Sequence, residues 1–360
     1  MLPLARVMPT VFRNLLSSYS SLKYPILIFD RRLDSAYLPF KAWRKSFKHA
    51  FPVYAGENLK ALESFPATMK QIITATSGVS RSAVTVVSAG GGSVGDFSGF
   101  VASILKRGTD LIHIPSTWLA AMDSAHGGKN ALNVGEIKNQ IGTFHHPSSV
   151  YLTRDLLFTQ PRERAIEALG ELTKTALISG EKWHKDPLNI LLELAQVRDQ
   201  HEPLQNKLWD LLPTTIKSKS RIVAQDPFDE LGIRSSLNLG HTMGHIIEPF
   251  FAISHGEAVG RGLLFSLTWS KKLGFLKQSH HKEIIGALEK LYPEEWLKPQ
   301  KNWNILENDF LKLASHDKKA TGIASVNFVF IRKIGHVFNK RVRLSDFFKE
   351  AIAQGWVGEK

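Results

Sequence analysis

Hydrophobic and polar positions follow two regimes along the chain. In the first half, short apolar runs at 24–30, 52–54, 83–88 and 111–115 predict buried strands. Continuous Val, Ile and Leu runs of this length suit parallel strands covered on both faces. Between them, 35–49, 57–75 and 97–106 carry helical spacing. Strands alternating with helices in this way predict a doubly wound, mostly parallel α/β sheet. From Arg162 the pattern changes to amphipathic stretches at 162–180, 203–225, 236–251, 257–273 and 280–291. A strand pair is expected at 325–331 and 335–338, and a last helix near 344–354. The change of regime divides the chain into an α/β domain, residues 1–158, and a mainly α-helical domain, residues 159–360.

Composition narrows the function classes. A chain of 360 residues with 43% hydrophobic and 22% charged positions can build two cores. Its 46 basic against 33 acidic residues give a formal charge of +13, which favours an anionic partner. Lysine and arginine are scattered without runs or aromatic interleaving, so no nucleic-acid partner is expected. The absence of cysteine excludes a disulfide framework, a zinc ribbon and thiol catalysis. No apolar stretch reaches membrane-spanning length, so no membrane partner is expected either. Before the first acid, Asp30, the chain carries Arg6, Arg13, Lys23 and several serines, a faintly transit-peptide-like mixture. Pro3 and Pro9 would interrupt an amphipathic helix, so this basic segment is expected to be an irregular extension of a cytoplasmic protein.

Several stretches carry candidate chemistry. Gly90-Gly91-Gly92-Ser93-Val94-Gly95-Asp96 follows a predicted strand and opens a helix. Glycines there let backbone N–H groups approach a pyrophosphate at the positive end of the helix. The run is neither a GxGxxG nor a P-loop; a tight structural turn is the alternative to dinucleotide binding. Asp123-Ser124-Ala125-His126-Gly127-Gly128-Lys129-Asn130, Lys138-Asn139-Gln140-Ile141-Gly142 and Arg107-Gly108 set glycine beside mobile cations suited to an anion. In Leu237-Asn238-Leu239-Gly240-His241-Thr242-Met243-Gly244-His245, two histidines share one helical face. Spacing makes His241 and His245 the natural chelating pair for a zinc-like metal, with His255 opening the next helix and a carboxylate from elsewhere. Capping or core-satisfied histidines are the alternative. Glu171 and Lys174 share a helical face as well, ordinarily a surface ion pair, and matter here because the metal lacks a carboxylate.

Taken together these motifs resemble the 3-dehydroquinate synthase family of sugar-phosphate cyclases over roughly residues 54–331. The resemblance rests on Gly56-Glu57-x-x-Lys60, Gly90-Gly91-Gly92-x-x-Gly95-Asp96, Arg107-Gly108, Asp123-Ser124-x-x-Gly127-Gly128-Lys129 and Lys138-Asn139-x-x-Gly142. It continues through Glu171-x-x-Lys174, Gly232-x-Arg234-x-x-Leu237-Asn238-x-Gly240-His241-Thr242, His255-Gly256-Glu257 and Asp317-Lys318-Lys319.

The resemblance implies a catalytic NAD, a divalent metal (zinc or cobalt) and an active site in the cleft between an NAD-binding and a helical domain. The implied metal ligands are Glu171, His241 and His255, which moves His245 to the substrate. Lys129, Asn139, Lys174, Lys219, Arg234, Asn238, His245 and Lys318 or Lys319 would line the substrate, with Arg107 reaching its phosphate from the neighbouring subunit of a homodimer. Gly56, Glu57, Lys60, Gly92, Ser93, Val94, Gly95, Asp96, Ser116, Thr117, Lys138 and Thr159 would contact NAD, and Asp123 would lie near its nicotinamide end and the metal. The implied reaction converts 3-deoxy-D-arabino-heptulosonate 7-phosphate to 3-dehydroquinate and phosphate, a step of the shikimate pathway to aromatic amino acids.

Ala125-His126, Asn130, Ile137 and His145-His146 depart from the family pattern near the nicotinamide and substrate. A sibling cyclase making a cyclitol-like ketone is therefore an alternative. A metal-dependent alcohol dehydrogenase and a basic, non-enzymatic binding protein are others.

Overall fold

The computed structural model describes residues 5–12, 14–15, 22–135, 137–180, 183, 186–299, 303, 305–315 and 325–357. The chain forms two compact units, one running to Arg164 and including Val223–Phe228, the other taking Ala165–Ile222 and the chain from Asp229.

The first unit is built on six strands: β1 (Arg6–Thr10), β2 (Tyr24–Asp30), β3 (His49–Val53), β4 (Val84–Gly90), β5 (Asp110–Pro115) and β8 (Ser149–Thr153). Strands β6 (Lys129–Val134) and β7 (Ile137–Phe144) form a separate antiparallel hairpin. The six run parallel in the order β1-β8-β5-β4-β2-β3. Both faces are covered, which explains the unbroken apolar runs. Ile26 and Ile28 of β2 enter one core with Val84, Val86, Phe97 and Val101. Leu27 and Phe29 enter the other with Val87, Ile112, Phe40 and Trp43.

Several expectations need correction. The N-terminal segment is not wholly irregular: β1 pairs with β8 from Arg6↔Ser149 to Thr10↔Thr153. Pro9 is admissible there because an edge strand can lose one ladder donor. The helix expected at 35–49 is two short pieces, Leu33–Ala36 and Leu38–Arg44, broken at the extended Tyr37. The helix expected from 57 begins only at Phe65 (α1, Phe65–Ala75), after two 3-10 turns. The β6–β7 hairpin lies outside the strands that the apolar runs predict, because its residues form no such run.

Helix α2 (Gly92–Ile104) starts directly after the glycine run. It meets β6 at Gly99, where an added Cβ would lie 1.8 Å from Asn130 Oδ1.

The second unit is mainly helical. It comprises α3 (Arg162–Ser179), α4 (Pro187–Val197), α5 (His201–Gln225), α6 (His241–Phe251), α7 (His255–Lys272), α8 (Gln278–Leu291), α9 (Glu307–Ser315) and α10 (Leu344–Ala353). The first residues of α3 and the last of α5 belong to the other unit. An antiparallel pair, β9 (Ser325–Lys333) and β10 (His336–Arg343), precedes α10. Phe265, Trp269, Phe328, Phe330 and Phe347 pack ring against ring at its core. The helix expected at 236–251 is interrupted: 233–238 is 3-10, and Gly240 at φ 80° turns the backbone so that α6 starts at His241. No helix among the described residues is long and apolar enough to cross a membrane.

Gly99→Ala should destabilise the first unit by about 1–3 kcal/mol, because the methyl can enter only by displacing a buried amide. Denaturant unfolding checks this, and the double variant Gly99→Ala/Asn130→Ala should recover part of the loss.

Candidate metal centre and dinucleotide turn

Glu171 lies in the middle of α3 and is 1% exposed. His241 is the first residue of α6 and His255 the first of α7. Their Nε2 atoms stand 3.1 and 3.3 Å from Glu171 Oε1. Among the described residues, these three form the group whose ligand atoms all lie within 4.8 Å of one another. His245 is outside that group. Its ring centroid is 5.3 Å from that of His241, and its side chain is exposed. Lys174 Nζ reaches Glu171 Oε2 at 2.5 Å, an ion pair rather than a well-aligned hydrogen bond. Both partners are buried, so the expected surface pair is instead an interior one.

Glycines set these distances. A Cβ on Gly170 would lie 2.0 Å from Gly256 O, and one on Gly256 would lie 1.7 Å from Glu167 O. Helices α3 and α7 therefore touch backbone to backbone beside Glu171 and His255. Gly262 does the same for α6, since its Cβ would lie 1.9 Å from Gly240 O. Ser254 caps α7 by accepting from Glu257 N.

The outer contacts fit a metal. His255 Nδ1 is 2.8 Å from Glu248 Oε2, and His241 Nδ1 is 3.4 Å from the Leu239 carbonyl. An acceptor on Nδ1 holds the proton there and leaves the Nε2 lone pair for a cation. One carboxylate oxygen and two such nitrogens form a donor set typical of a catalytic site with an open position. Burial alone would raise the Glu171 carboxyl, but Lys174, His241 and His255 outweigh it and hold it well below its ordinary value. Burial lowers His255 too, yet Glu171 and Glu248 prevail and raise it to about 10. Burial, reinforced by Lys174, lowers His241 despite the adjacent Glu171.

Two residues were missed by sequence reasoning. Glu248 lies seven residues after His241, but its contact with His255 depends on the turn at Ala252, whose φ is 51°. Arg261 is fully buried and anchors α7: it pairs with Glu257, donates to the carbonyls of Glu295 and Lys298, and lies 4.6 Å over the Trp303 ring. Spacing alone shows Glu257 and Arg261 only as an ordinary i,i+4 pair.

The glycine turn sits in the first unit at the junction of β4 and α2. A Cβ on Gly91, the N-cap, would stand 3.1 Å from Thr117 Cγ2, a tight contact that Thr117 would have to relieve. Thr117 itself caps the next short helix, and Ser116 N donates to Gly90 O at 2.9 Å. Gly56 N donates to Ser93 Oγ at 3.0 Å. Lys60 is buried with Nζ 2.6 Å from both Asp96 Oδ2 and Asn139 Oδ1. Asn133 joins Glu57 to the hairpin through 2.9 Å bonds to Glu57 Oε2 and from Asn139 N. Asp96, Lys60, Asn139, Asn133 and Glu57 thus form one connected network, and the Gly56–Ser93 bond ties the preceding residue to the turn.

The remaining predicted residues are placed as follows. Arg107, in left-handed backbone at φ 67°, Lys129 and Lys138 are exposed, as solvated cations usually are. Lys219 and Arg234 are buried, which bare surface lysines and arginines are not. Asp123 and Thr159 are half-buried. Lys318 and Lys319 lie outside the described residues.

The departures from the family pattern are mostly interior. His126 bonds the Ala121 carbonyl at 2.8 Å, and Asn130 donates to the carbonyls of Gly128 and His145. His113 is held uncharged, at about 3, by burial and by His126 and His145. Asn130 and His126 therefore serve the packing of the first unit; Ile137 alone among the departures is notably exposed.

Two family models match the chain, 3-dehydroquinate synthase N-terminal over residues 50–167 and 3-dehydroquinate synthase C-terminal over 168–320. The 3-dehydroquinate synthase of Bacillus pumilus is 33% identical over 350 residues, covering 95% of this chain and 88% of its own. That of Alkaliphilus oremlandii is 34% identical over 278 residues, 76% of this chain and 74% of its own. Among solved structures, a 2-deoxy-scyllo-inosose synthase complexed with carbaglucose-6-phosphate, NAD+ and Co2+ superimposes with TM-score 0.81 at 21% identity, covering 97% and 96% of the two chains. The 2-epi-5-epi-valiolone synthase of Streptomyces hygroscopicus, with NAD+ and Zn2+ bound, gives TM-score 0.77 at 20% identity over 98% and 97%. At these identities the solved structures speak for the fold.

Zinc affinity measured by competition with a chelator tests the geometry. Glu171→Ala and His255→Ala should lose the metal, whereas His245→Ala should keep it. Glu248→Gln should weaken zinc binding by about 10–100-fold through its loss of hold on His255. Equal metal loss in His245→Ala would instead assign the ion to the His241–His245 pair.

Proposed function

The chain belongs to the 3-dehydroquinate synthase family, and from that premise we propose that it converts 3-deoxy-D-arabino-heptulosonate 7-phosphate to 3-dehydroquinate and phosphate. The reading includes NAD bound at the glycine turn, zinc or cobalt on Glu171, His241 and His255, a homodimeric assembly and a cytoplasmic place in the shikimate pathway. When bound, NAD supplies a transient oxidation of a ring hydroxyl, and the divalent metal supplies Lewis acidity that makes that hydroxyl easier to deprotonate.

The chain's own residues do the rest. Glu171 is kept ionised by Lys174, so a carboxylate rather than a carboxylic acid faces the site. Lys129, Lys174, Lys219, Arg234 and Asn238 are the groups for a substrate with both a carboxylate and a phosphate, since two anions held in one register need several fixed donors. Arg107 completes the phosphate grip from the second subunit. His245, one helical turn from His241 and outside the metal group, is suited to move a proton at the substrate. Asp123 and Lys138 orient the nicotinamide end, and the network from Gly56 to Asn139 holds the dinucleotide.

The observation that carries the reading is the Glu171–His241–His255 cluster, with Lys174 on the helix of Glu171, His245 on that of His241, and Arg234 and Asn238 on the 3-10 turn just before α6. Curated relatives named 3-dehydroquinate synthase over nearly the whole chain support it. The interior placement of His126 and Asn130 weakens the case for a sibling cyclase, because those departures are explained by packing.

With NAD and zinc or cobalt, the protein should release phosphate from the seven-carbon keto-acid sugar phosphate without accumulating NADH, and His245→Ala should slow that release with zinc still bound. Release only from a phosphate lacking the carboxylate would make it a sibling cyclase, and stoichiometric NADH would make it an alcohol dehydrogenase.

A further inference from the structure

The 3-10 segment Ile233–Asn238 presents two of the proposed substrate groups, Arg234 and Asn238. A 3-10 turn has poorer hydrogen-bond geometry than an α-helix, so contacts at its two ends must fix where its side chains point. Left-handed glycines bracket the segment, Gly232 at φ 73° and Gly240 at φ 80°. The Gly240 end is packed: a Cβ there would lie 3.0 Å from Leu263 Cγ and from Val259 O, both on α7. At the Gly232 end a Cβ would meet no atom within 4 Å. There the hold comes from side chains. Ser235, 6% exposed, donates its hydroxyl proton to Gly232 O and accepts from Nδ2 of Asn339 on β10. A hydroxyl has one proton to give, so the two bonds fix one direction, from amide to hydroxyl to carbonyl.

The strand that carries Asn339 is anchored in turn. Strand β10 pairs with β9, Asn339 opposite Val329. The hairpin turn is seated on the end of α3: Gly335 N donates to Leu177 O at 2.8 Å, and a Cβ on Gly180 would lie 2.6 Å from Gly335 Cα. Strand β9 is tied to α7, where Ile331 N donates to Ser270 Oγ at 3.2 Å. The hairpin therefore runs from the helix that carries Glu171 and Lys174 to the segment that carries Arg234 and Asn238, and Asn339 makes the last link. Asn339 is otherwise exposed, so water can satisfy its amide and the hairpin does not need the Ser235 bond in order to fold.

We propose that Asn339 is a positioning residue for the substrate: through Ser235 it sets the 3-10 segment so that Arg234 and Asn238 meet the substrate's anionic groups in one register. The inference rests on the substrate roles proposed above and adds Asn339 and Ser235, to which the family resemblance gives no part. Phosphate release from the seven-carbon keto-acid sugar phosphate by the full chain with NAD and zinc tests it, beside zinc affinity and amide hydrogen exchange. Asn339→Ala should raise KM by about fivefold, the loss expected of one hydrogen bond, with kcat within about twofold and zinc affinity unchanged. Asn339→Asp keeps the shape but can only accept, so it turns the Ser235 proton away from Gly232 O and should raise KM as much. In a Ser235→Ala background neither Asn339 substitution should raise KM further. Amides of 233–239 should exchange faster in Asn339→Ala while those of α3 and α6 stay protected. A general loss of structure would instead lower kcat through the active fraction and leave KM alone. That pattern, a wild-type KM in Asn339→Asp, or additivity with Ser235→Ala would overturn the positioning role while leaving the function reading intact. Wild-type protein that releases no phosphate from this substrate would remove the function reading and the positioning role with it.

Discussion

A carboxylate that is 1% exposed cannot stay ionised without compensation, and Glu171 finds it in Lys174 and in two imidazoles from other segments. Removing one partner from such a buried pair typically costs about 3–5 kcal/mol, because the remaining charge is stranded. The helices that carry the partners must therefore approach within a few ångströms of α3 and stay there. Gly170 against Gly256, and Gly240 against Gly262, permit that approach at the level of the backbone. Each of the three converging residues has a glycine as its chain neighbour: Gly170-Glu171, Gly240-His241 and His255-Gly256. Packing and chemistry are set by the same positions.

The outer contacts convert proximity into orientation. Glu248 and the Leu239 carbonyl select the Nδ1–H form of each imidazole, and a ring so held keeps Nε2 pointed at the carboxylate. Arg261 then fixes the first turn of α7 through Glu257 and through two carbonyls of the 295–298 segment. A fully buried guanidinium is tolerated here because its donors have acceptors and its face has Trp303. The reactive end of α7 is thus held from both sides, at Ser254 and at Arg261.

Much of the fold was legible in the sequence, for reasons that also mark the limit. Strands β2, β4 and β5 are buried on both faces, and their apolar runs have no other reading. Strand β1 was hidden because it is a half-exposed edge containing a proline, and β7 because nearly all its residues are exposed. In the site, helical spacing coupled His241 to His245, a pairing correct for one regular helix. The left-handed Gly240 and the turn at Ala252 instead bring His255 in from the next helix. Only the family resemblance named that partner, since no local period links residues on three separate helices. Glu248 and Arg261 were beyond reach for the same reason: each depends on contacts that a one-dimensional pattern does not carry.

The central claim is that three helices deliver one carboxylate and two imidazoles, and no third imidazole, to a single cation. X-ray absorption spectroscopy of the zinc-loaded protein addresses it directly. The account predicts a first shell of two imidazole nitrogens with oxygen ligands, at about 2.0–2.2 Å. A shell with three imidazoles, or one that keeps two when His255 is replaced by alanine, would contradict it.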